Sequence, residues 1–410
     1  MSELLNIKRE NENKPVLGLG IAGLGGASVS MLDSLVKHEG FRINAGADLR
    51  AEARDKFARE FAASTYPDVE DMCRSSEIDV VYIATPHQFH ASHAVTAANC
   101  GKHIIVEKPM ALSLKECDLM IEAADKNKVK LLVGHTHSFD APIMKIREIV
   151  RSGRLGKLGM INTWNFTDFL YRPRRKEELN TDEGGGILFN QLPHQIDVIR
   201  LIGGGMVRSV RAMCGIWDQS RPTEGSLAAF LEFEDGAAAT AVYSGYDHFD
   251  SDEWNDWVSE SGLKKDPARY GEGRKKLKQL NNMDEETCLK NASGYGGASE
   301  LTFNRSIEDK FHPHFGVIVV SCAKGDIRAT PNGILIYGDE EKIEIPVPMS
   351  NAFPDKMNVL DEFYNSVINN ETLIHDGRWG KATMEVCLAL LQSSQERQEI
   401  ILSNQVRVID

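Results

Sequence analysis

Long apolar runs are missing from this chain. No stretch of its 410 residues approaches the roughly 18 that a membrane-spanning helix needs, so no membrane partner is expected. Basic charge is in deficit too. The 47 Lys and Arg are outnumbered by 60 Asp and Glu, for a net charge of −13, and no five basic residues run together. A surface of that sign repels phosphate backbones and argues against nucleic acid as a main partner. Cysteine is sparse, odd in number (7) and without a CxxC pair. That excludes a disulfide scaffold and implies reduced thiols in a cytoplasmic protein. The opening Met1–Asn6 is polar and lacks the apolar core of a secretory signal. Repeats and low-complexity tracts are absent. With 42% hydrophobic and 26% charged residues, what remains is a globular chain of two or three domains.

The first third alternates short apolar runs with helical spacing. Candidate strands are Val16–Ala22, Phe41–Ala47, Asp79–Ala84, His103–Val106 and Lys130–Val133. Candidate helices are Ala27–Lys37, Ala51–Ala62, His90–Asn99 and Leu114–Asn127. This βαβα order predicts a doubly wound parallel sheet with helices on both faces. In its first turn, Gly23-Leu24-Gly25-Gly26-Ala27-Ser28 forms a GxGxx[G/A/S] pattern. Gly23 permits a tight turn, Gly25 lets backbone approach a pyrophosphate, and the small Ala27 and Ser28 bring a helix N-terminus close to that anion. Asp48 stands 20 residues beyond Ser28 at the end of the second strand, where a carboxylate accepts hydrogen bonds from an adenosine ribose. Arg50, two residues on, could instead receive a 2′-phosphate; the balance favours NAD over NADP.

Two further stretches carry chemistry. The strand His103–Val106 runs into Glu107-Lys108-Pro109, placing a lysine at the C-terminal end of a parallel strand, beside the nucleotide crevice. Glu107 is expected to keep Lys108 cationic, and a cis bond to Pro109 is possible. Later, Asn190, His194 and Asp197 recur at i, i+4 and i+7 after Gly184-Gly185-Gly186. On one helix they face the same way, giving an imidazole with a carboxylate partner, a general acid/base.

These elements together resemble the glucose–fructose oxidoreductase, inositol dehydrogenase and rhizopine-catabolism (Gfo/Idh/MocA) family. The matching stretches are the GLGGAS turn, Asp48, ATPHQFH at 84–90, GKHIIVEKP at 101–109 and the GGG…N…H…D segment, in that family's order. The resemblance implies a Rossmann domain over residues 1–136 and an α+β domain with an open, mostly antiparallel sheet over 137–410. It implies Lys108 and His194 flanking nicotinamide and substrate. Gly23, Gly25, Ala27, Ser28, Asp48, Leu49, Arg50, Thr85, Pro86, His90, Glu107 and Lys108 would line the cofactor. Asn190 stands where many members carry aspartate, which moves acid/base work to His194 and Lys108. The segments 134–140, 168–175, 189–191, 246–250 and 375–379 are similar to the phthalate 4,5-cis-dihydrodiol dehydrogenases of that family, which are thought to convert carboxylated cis-dihydrodiols to catechols.

Tyr171, Arg172, Arg174 and Arg175 form a cationic loop suited to carboxylates, unless Glu177 and Glu178 occupy it. His135 and His137 are expected on one face of an extended segment, with His137 lining the substrate pocket beside Asn190 and Asp197. No metal is expected: His87, His90 and His93 do not converge on one ion at helical spacing.

Beyond Gly159 the candidate strands 160–167, 207–217, 226–233, 237–243, 315–322, 326–330, 333–337 and 342–347 are joined by hairpin signals, which predicts antiparallel pairing. A polar, insertion-like segment, 247–314, is open to a lid or subunit-contact role, and two amphipathic helices near 354–368 and 381–401 close the chain. The leading functional expectation is an NAD-dependent dehydrogenase of a small cyclic alcohol, working as a homo-oligomer (dimer or tetramer). The alternatives are a sugar, cyclitol or glycoside dehydrogenase, and a non-catalytic NAD(H)-sensing regulator.

Overall fold

The computed structural model describes residues 14–297, 311–349 and 354–409; Met1–Asn6 and residues 298–310 of the polar segment lie outside them. The first sheet has six parallel strands in the order β3-β2-β1-β4-β5-β6. They are β1 Leu17–Ala22, β2 Phe41–Ala47, β3 Ser64–Tyr66, β4 Val80–Ile83, β5 His103–Glu107 and β6 Leu131–Gly134. Every residue of β1, β4 and β6 is buried, as expected where helices cover both faces of a parallel sheet. Strand order reverses between β1 and β4, and ligands of such sheets sit at the carboxyl ends of strands at that reversal. Only β3 was not anticipated. Its three residues are polar or half-exposed and pair at the sheet edge with β2.

The second sheet has nine strands, ordered β14-β13-β12-β11-β7-β10-β9-β8-β15. They are β7 Leu158–Phe166, β8 Val207–Gly215, β9 Ser226–Phe233, β10 Ala238–Ser244, β11 Val317–Cys322, β12 Gly325–Thr330, β13 Gly333–Tyr337, β14 Lys342–Pro346 and β15 Ile400–Ile401. All neighbours are antiparallel except β7 and β10, which run parallel. The last helix spans Gly377–Glu396, capped by the Asp376 carboxylate on the Trp379 amide. Residues 400–401, expected to continue it, instead form β15 against β8. The left-handed Arg397 ends the helix three residues earlier.

Residues beyond 136 also pack onto the first sheet. Helix Pro354–Ile368 lays Val359, Leu360, Phe363 and Tyr364 into the core of the first sheet with Leu17, Leu35 and Phe41. The Tyr364 hydroxyl also donates to Pro15 O at 2.7 Å. Tyr295, from the polar segment, is buried in that same core between Phe57 and Phe61. All seven cysteines are free thiols, and among the described residues no helix is long and apolar enough to cross a membrane.

Candidate active site

The glycine turn leads from β1 into helix Gly26–Lys37. Gly23 holds φ +88°, and a Cβ there would lie 2.8 Å from Ala84 O. Only glycine fits. Gly25 is the opposite case: a Cβ there meets no atom within 4 Å. It caps a helix whose N-terminus has no side-chain cap and no acidic residue in its first turn. Open space in front of free amides at a positive helix end suits a pyrophosphate. Ala27 is exposed beside it, and the buried Ser28 hydroxyl donates to Gly25 O at 2.8 Å.

Asp48 is more committed than its spacing suggests. Its carboxylate accepts from the Leu24 amide at 2.8 Å and from the Arg50 amide and Nε at 2.9 and 3.0 Å. Burial alone would raise its pKa, but the hydrogen bonds from Arg50 and Leu24 outweigh it and hold the group ionised. Arg50 also donates to Leu24 O at 2.7 Å, while Leu49 stands exposed between them. Thr85 and Pro86 leave the end of β4, the Thr85 hydroxyl 3.0 Å from His93 Nδ1. His90, expected at the cofactor, is fully buried with both ring nitrogens 2.8 Å from backbone oxygens, those of Thr85 and Pro109. It braces two crevice loops together and has no nitrogen left for a ligand.

Lys108 follows β5 and precedes a cis peptide bond to Pro109. Its Nζ donates to Asn190 O at 2.8 Å. Burial pulls its pKa down to about 8; Glu107 and Glu260 oppose this, and Arg174 and Lys290 add to it. Glu107 works to keep the lysine cationic, as expected, but desolvation outweighs it, and the Glu107 carboxylate is itself occupied by the Tyr82 hydroxyl at 2.7 Å.

The helix expected to align Asn190, His194 and Asp197 is broken. Gly186–Asn190 and Leu192–Ile202 are separate helices meeting at Gln191, so Asn190 stands on a different helix from His194 and Asp197. The Asn190 side-chain amide donates back to Gly186 O at 2.9 Å and Gly184 O at 3.2 Å, which fixes the loop. His194 lies beside His137 and Phe315, ring centroids 4.9 and 5.1 Å away. Its Nδ1 is buried without a partner. Burial first, then Lys108 and His137, press its pKa well below the ordinary 6.5, so the ring is neutral and able to accept a proton. His137 sits in a 3-10 turn, Thr136–Phe139, rather than an extended segment, with Nδ1 2.9 Å from Asp140 Oδ2.

Asp197 does not orient His194. It is fully buried, accepting from the Ser138 hydroxyl and from Trp379 Nε1 at 2.5 Å, beside a His375–Glu362 pair. It is a structural carboxylate, not a substrate ligand. Asp197→Ala strands those donors in the core and should cost about 3 kcal/mol or more of stability in denaturant unfolding. A variant of wild-type stability with a raised KM would restore the substrate role.

The cationic loop divides. Tyr171 gives its hydroxyl to Asp218 at 2.9 Å. Arg172 is matched by two carboxylates, Asp168 at 2.7 Å and Glu260 at 3.3 Å, and despite burial its pKa is raised. Arg174 stacks on Phe169 at 3.8 Å and donates to Phe169 O at 2.6 Å, yet its buried Nε has no partner. Its nearest carboxylate is Glu178 at 3.6 Å, which also receives Lys290 at 3.4 Å. Glu260 and Lys290 were missed by sequence reasoning. Both come from the polar segment, where many charges stand without spacing that singles any out. That segment also lines the cofactor side: a Cβ on Gly294 would lie 3.6 Å from Arg50 Nη1 and 3.8 Å from Gly25 Cα. Among the described residues, no group of three His, Cys, Asp or Glu is placed to hold a metal.

Comparison with known proteins places the family and the fold. The model of the oxidoreductase family with an NAD-binding Rossmann fold matches residues 17–135, and that of the GFO/IDH/MocA C-terminal domain matches 143–256. The chain is 40% identical over 379 residues, 92% of its own length and 94% of the relative's, to a 1-carboxy-3-chloro-3,4-dihydroxycyclohexa-1,5-diene dehydrogenase of Comamonas testosteroni. A solved candidate dehydrogenase from Bordetella bronchiseptica RB50 is 44% identical, with TM-score 0.88 over 94% of this chain and 100% of that one. The WlbA dehydrogenase of Bordetella pertussis, solved with NADH and UDP-GlcNAcA, shares the fold at 19% identity and TM-score 0.67, over 95% and 98% of the two chains.

Proposed function

Because the chain belongs to the Gfo/Idh/MocA oxidoreductase family, we propose that it is the NAD-dependent dehydrogenase of a carboxylated cis-dihydrodiol, yielding the corresponding catechol. The near-full-length identity with a dehydrogenase of a carboxylated dihydroxycyclohexadiene carries this reading. The half-buried Lys108 and the neutral His194 support it. When bound, NAD supplies the hydride acceptor. The hydroxyl being oxidised gives its proton to His194, whose Nδ1 is enclosed, so that Nε2 is the accepting atom. The Lys108 ammonium holds the same oxygen as charge builds on it and a carbonyl forms, the kind of preorganised charge that lowers a barrier most. The keto product then shifts a ring proton to its oxygen and becomes aromatic, which draws the reaction forward.

NAD is favoured over NADP because Arg50, the cation that could meet a 2′-phosphate, is held by the Asp48 carboxylate and Leu24 O. The test is absorbance at about 340 nm on mixing the protein with NAD or NADP and a panel of dihydrodiols, cyclitols and sugars. Turnover of a carboxylated dihydrodiol with NAD is expected. Turnover of cyclitols or sugars alone would overturn the substrate, and NADH binding without any turnover would favour the regulator.

A pH profile follows from the same two groups. Lys108 must be protonated, and its pKa is lowered to about 8, so kcat/KM should fall roughly tenfold per pH unit above that point. His194 must be neutral, and its pKa is pressed far below 6.5, so no loss is expected near pH 6.5. A rate that rises through pH 8 would make the Lys108 amine the base instead.

A further inference from the structure

Resting on the reading of a carboxylated substrate, we propose that Lys290, supplied by the polar segment, and Arg174 together form the subsite for the substrate's carboxylate. Four cations, Lys108, Arg172, Arg174 and Lys290, lie within electrostatic reach of one another among four carboxylates, Glu107, Asp168, Glu178 and Glu260, and Glu107 accepts from the Tyr82 hydroxyl. Arg172 consumes two of the other three, Asp168 and Glu260, at 2.7 and 3.3 Å. That leaves Glu178 between Arg174 and Lys290, at 3.6 and 3.4 Å, beyond the usual length of a charged hydrogen bond to either.

The Nε of Arg174 is buried and unpaired, in a residue only 5% exposed. A buried guanidinium nitrogen without an acceptor is costly unless something else fills the position. Both cations also bear the mark of incomplete compensation. Burial lowers the pKa of Arg174 to about 10 and lowers that of Lys290 too, with Glu178 opposing in each case. Arg172, by contrast, is raised. An incoming carboxylate would share the two cations that Glu178 alone now serves, and Arg174 and Lys290 both lie close enough to Lys108 to act on its charge. A ring bearing its carboxylate there would hold its hydroxyls toward Lys108.

The experiment compares two substrates that differ only in the carboxylate: 1-carboxy-3,4-dihydroxycyclohexa-1,5-diene and the neutral cis-3,4-dihydroxycyclohexa-1,5-diene. In Lys290→Met, which keeps the stem and removes the charge, the ratio of kcat/KM values (acid over neutral) should fall about 10- to 100-fold. Lys290→Arg should recover most of that ratio. Equal losses on both substrates would mean that Lys290 only supports the fold, and an unchanged ratio would mean that it does not meet the acid; either overturns the subsite. Titration calorimetry of 3,4-dihydroxybenzoate into the protein with NADH separates this from the function itself. Should the wild type oxidise neither diol, binding lost in Lys290→Met still supports the subsite while the proposed reaction falls. No binding to the wild type overturns the subsite.

Discussion

Lys108→Ala should lower kcat by about 10²- to 10⁴-fold while leaving the dissociation constant for NAD within about threefold. The lysine is held by one bond to Asn190 O in a half-buried position. Its removal subtracts the charge that steadies the forming alkoxide and touches none of the glycine-turn amides. Stopped-flow NADH formation gives kcat, and fluorescence titration gives NADH binding. A loss confined to cofactor binding would make Lys108 a dinucleotide ligand and return the chemistry to His194 alone.

Gly25→Val should weaken NAD binding at least 100-fold without altering stability. The usual objection to filling a glycine is a clash within the protein, and at Gly25 there is none within 4 Å. The added Cβ would stand in the space where an anion meets the helix N-terminus. Gly23→Val is the control, because its Cβ would strike Ala84 O and that variant should misfold. Thermal unfolding with and without NAD separates the two. A Gly25→Val protein that is still stabilised by NAD would place the pyrophosphate elsewhere.

The first sheet was legible because parallel strands covered on both faces are plain apolar runs, as in β1 and β4, and because the glycine turn follows a strand directly. β3 escaped because three polar residues at a sheet edge have no such signature. The grouping of Asn190, His194 and Asp197 failed because counting by helical period assumes an unbroken helix. Pro193, in the first turn of a new one, was the signal that could have shown the break. The charge of Arg174 was visible and its partners were not. Glu178 lies four residues away, but Lys290 arrives from more than 100 residues down the chain, and no local pattern encodes that meeting. The depressed pKa of Lys108 was hidden for the same reason: Glu107 is adjacent in sequence, whereas the burial that overrides it is tertiary.

The helix Met283–Ala292 touches the arginine loop through Glu286, Lys290 and Asn291. Its trailing turn rests against Arg50 and Gly25 and is anchored by Tyr295, whose hydroxyl donates to Glu60 with Lys56 4.5 Å over its ring. One short element thus borders both of the proposed binding sites. Any free energy spent on seating it for the first ligand to arrive is not spent again for the second. If seating it costs free energy, the affinities at the two ends are linked: whatever factor the dinucleotide contributes to holding the acid, the acid returns in equal measure to the dinucleotide.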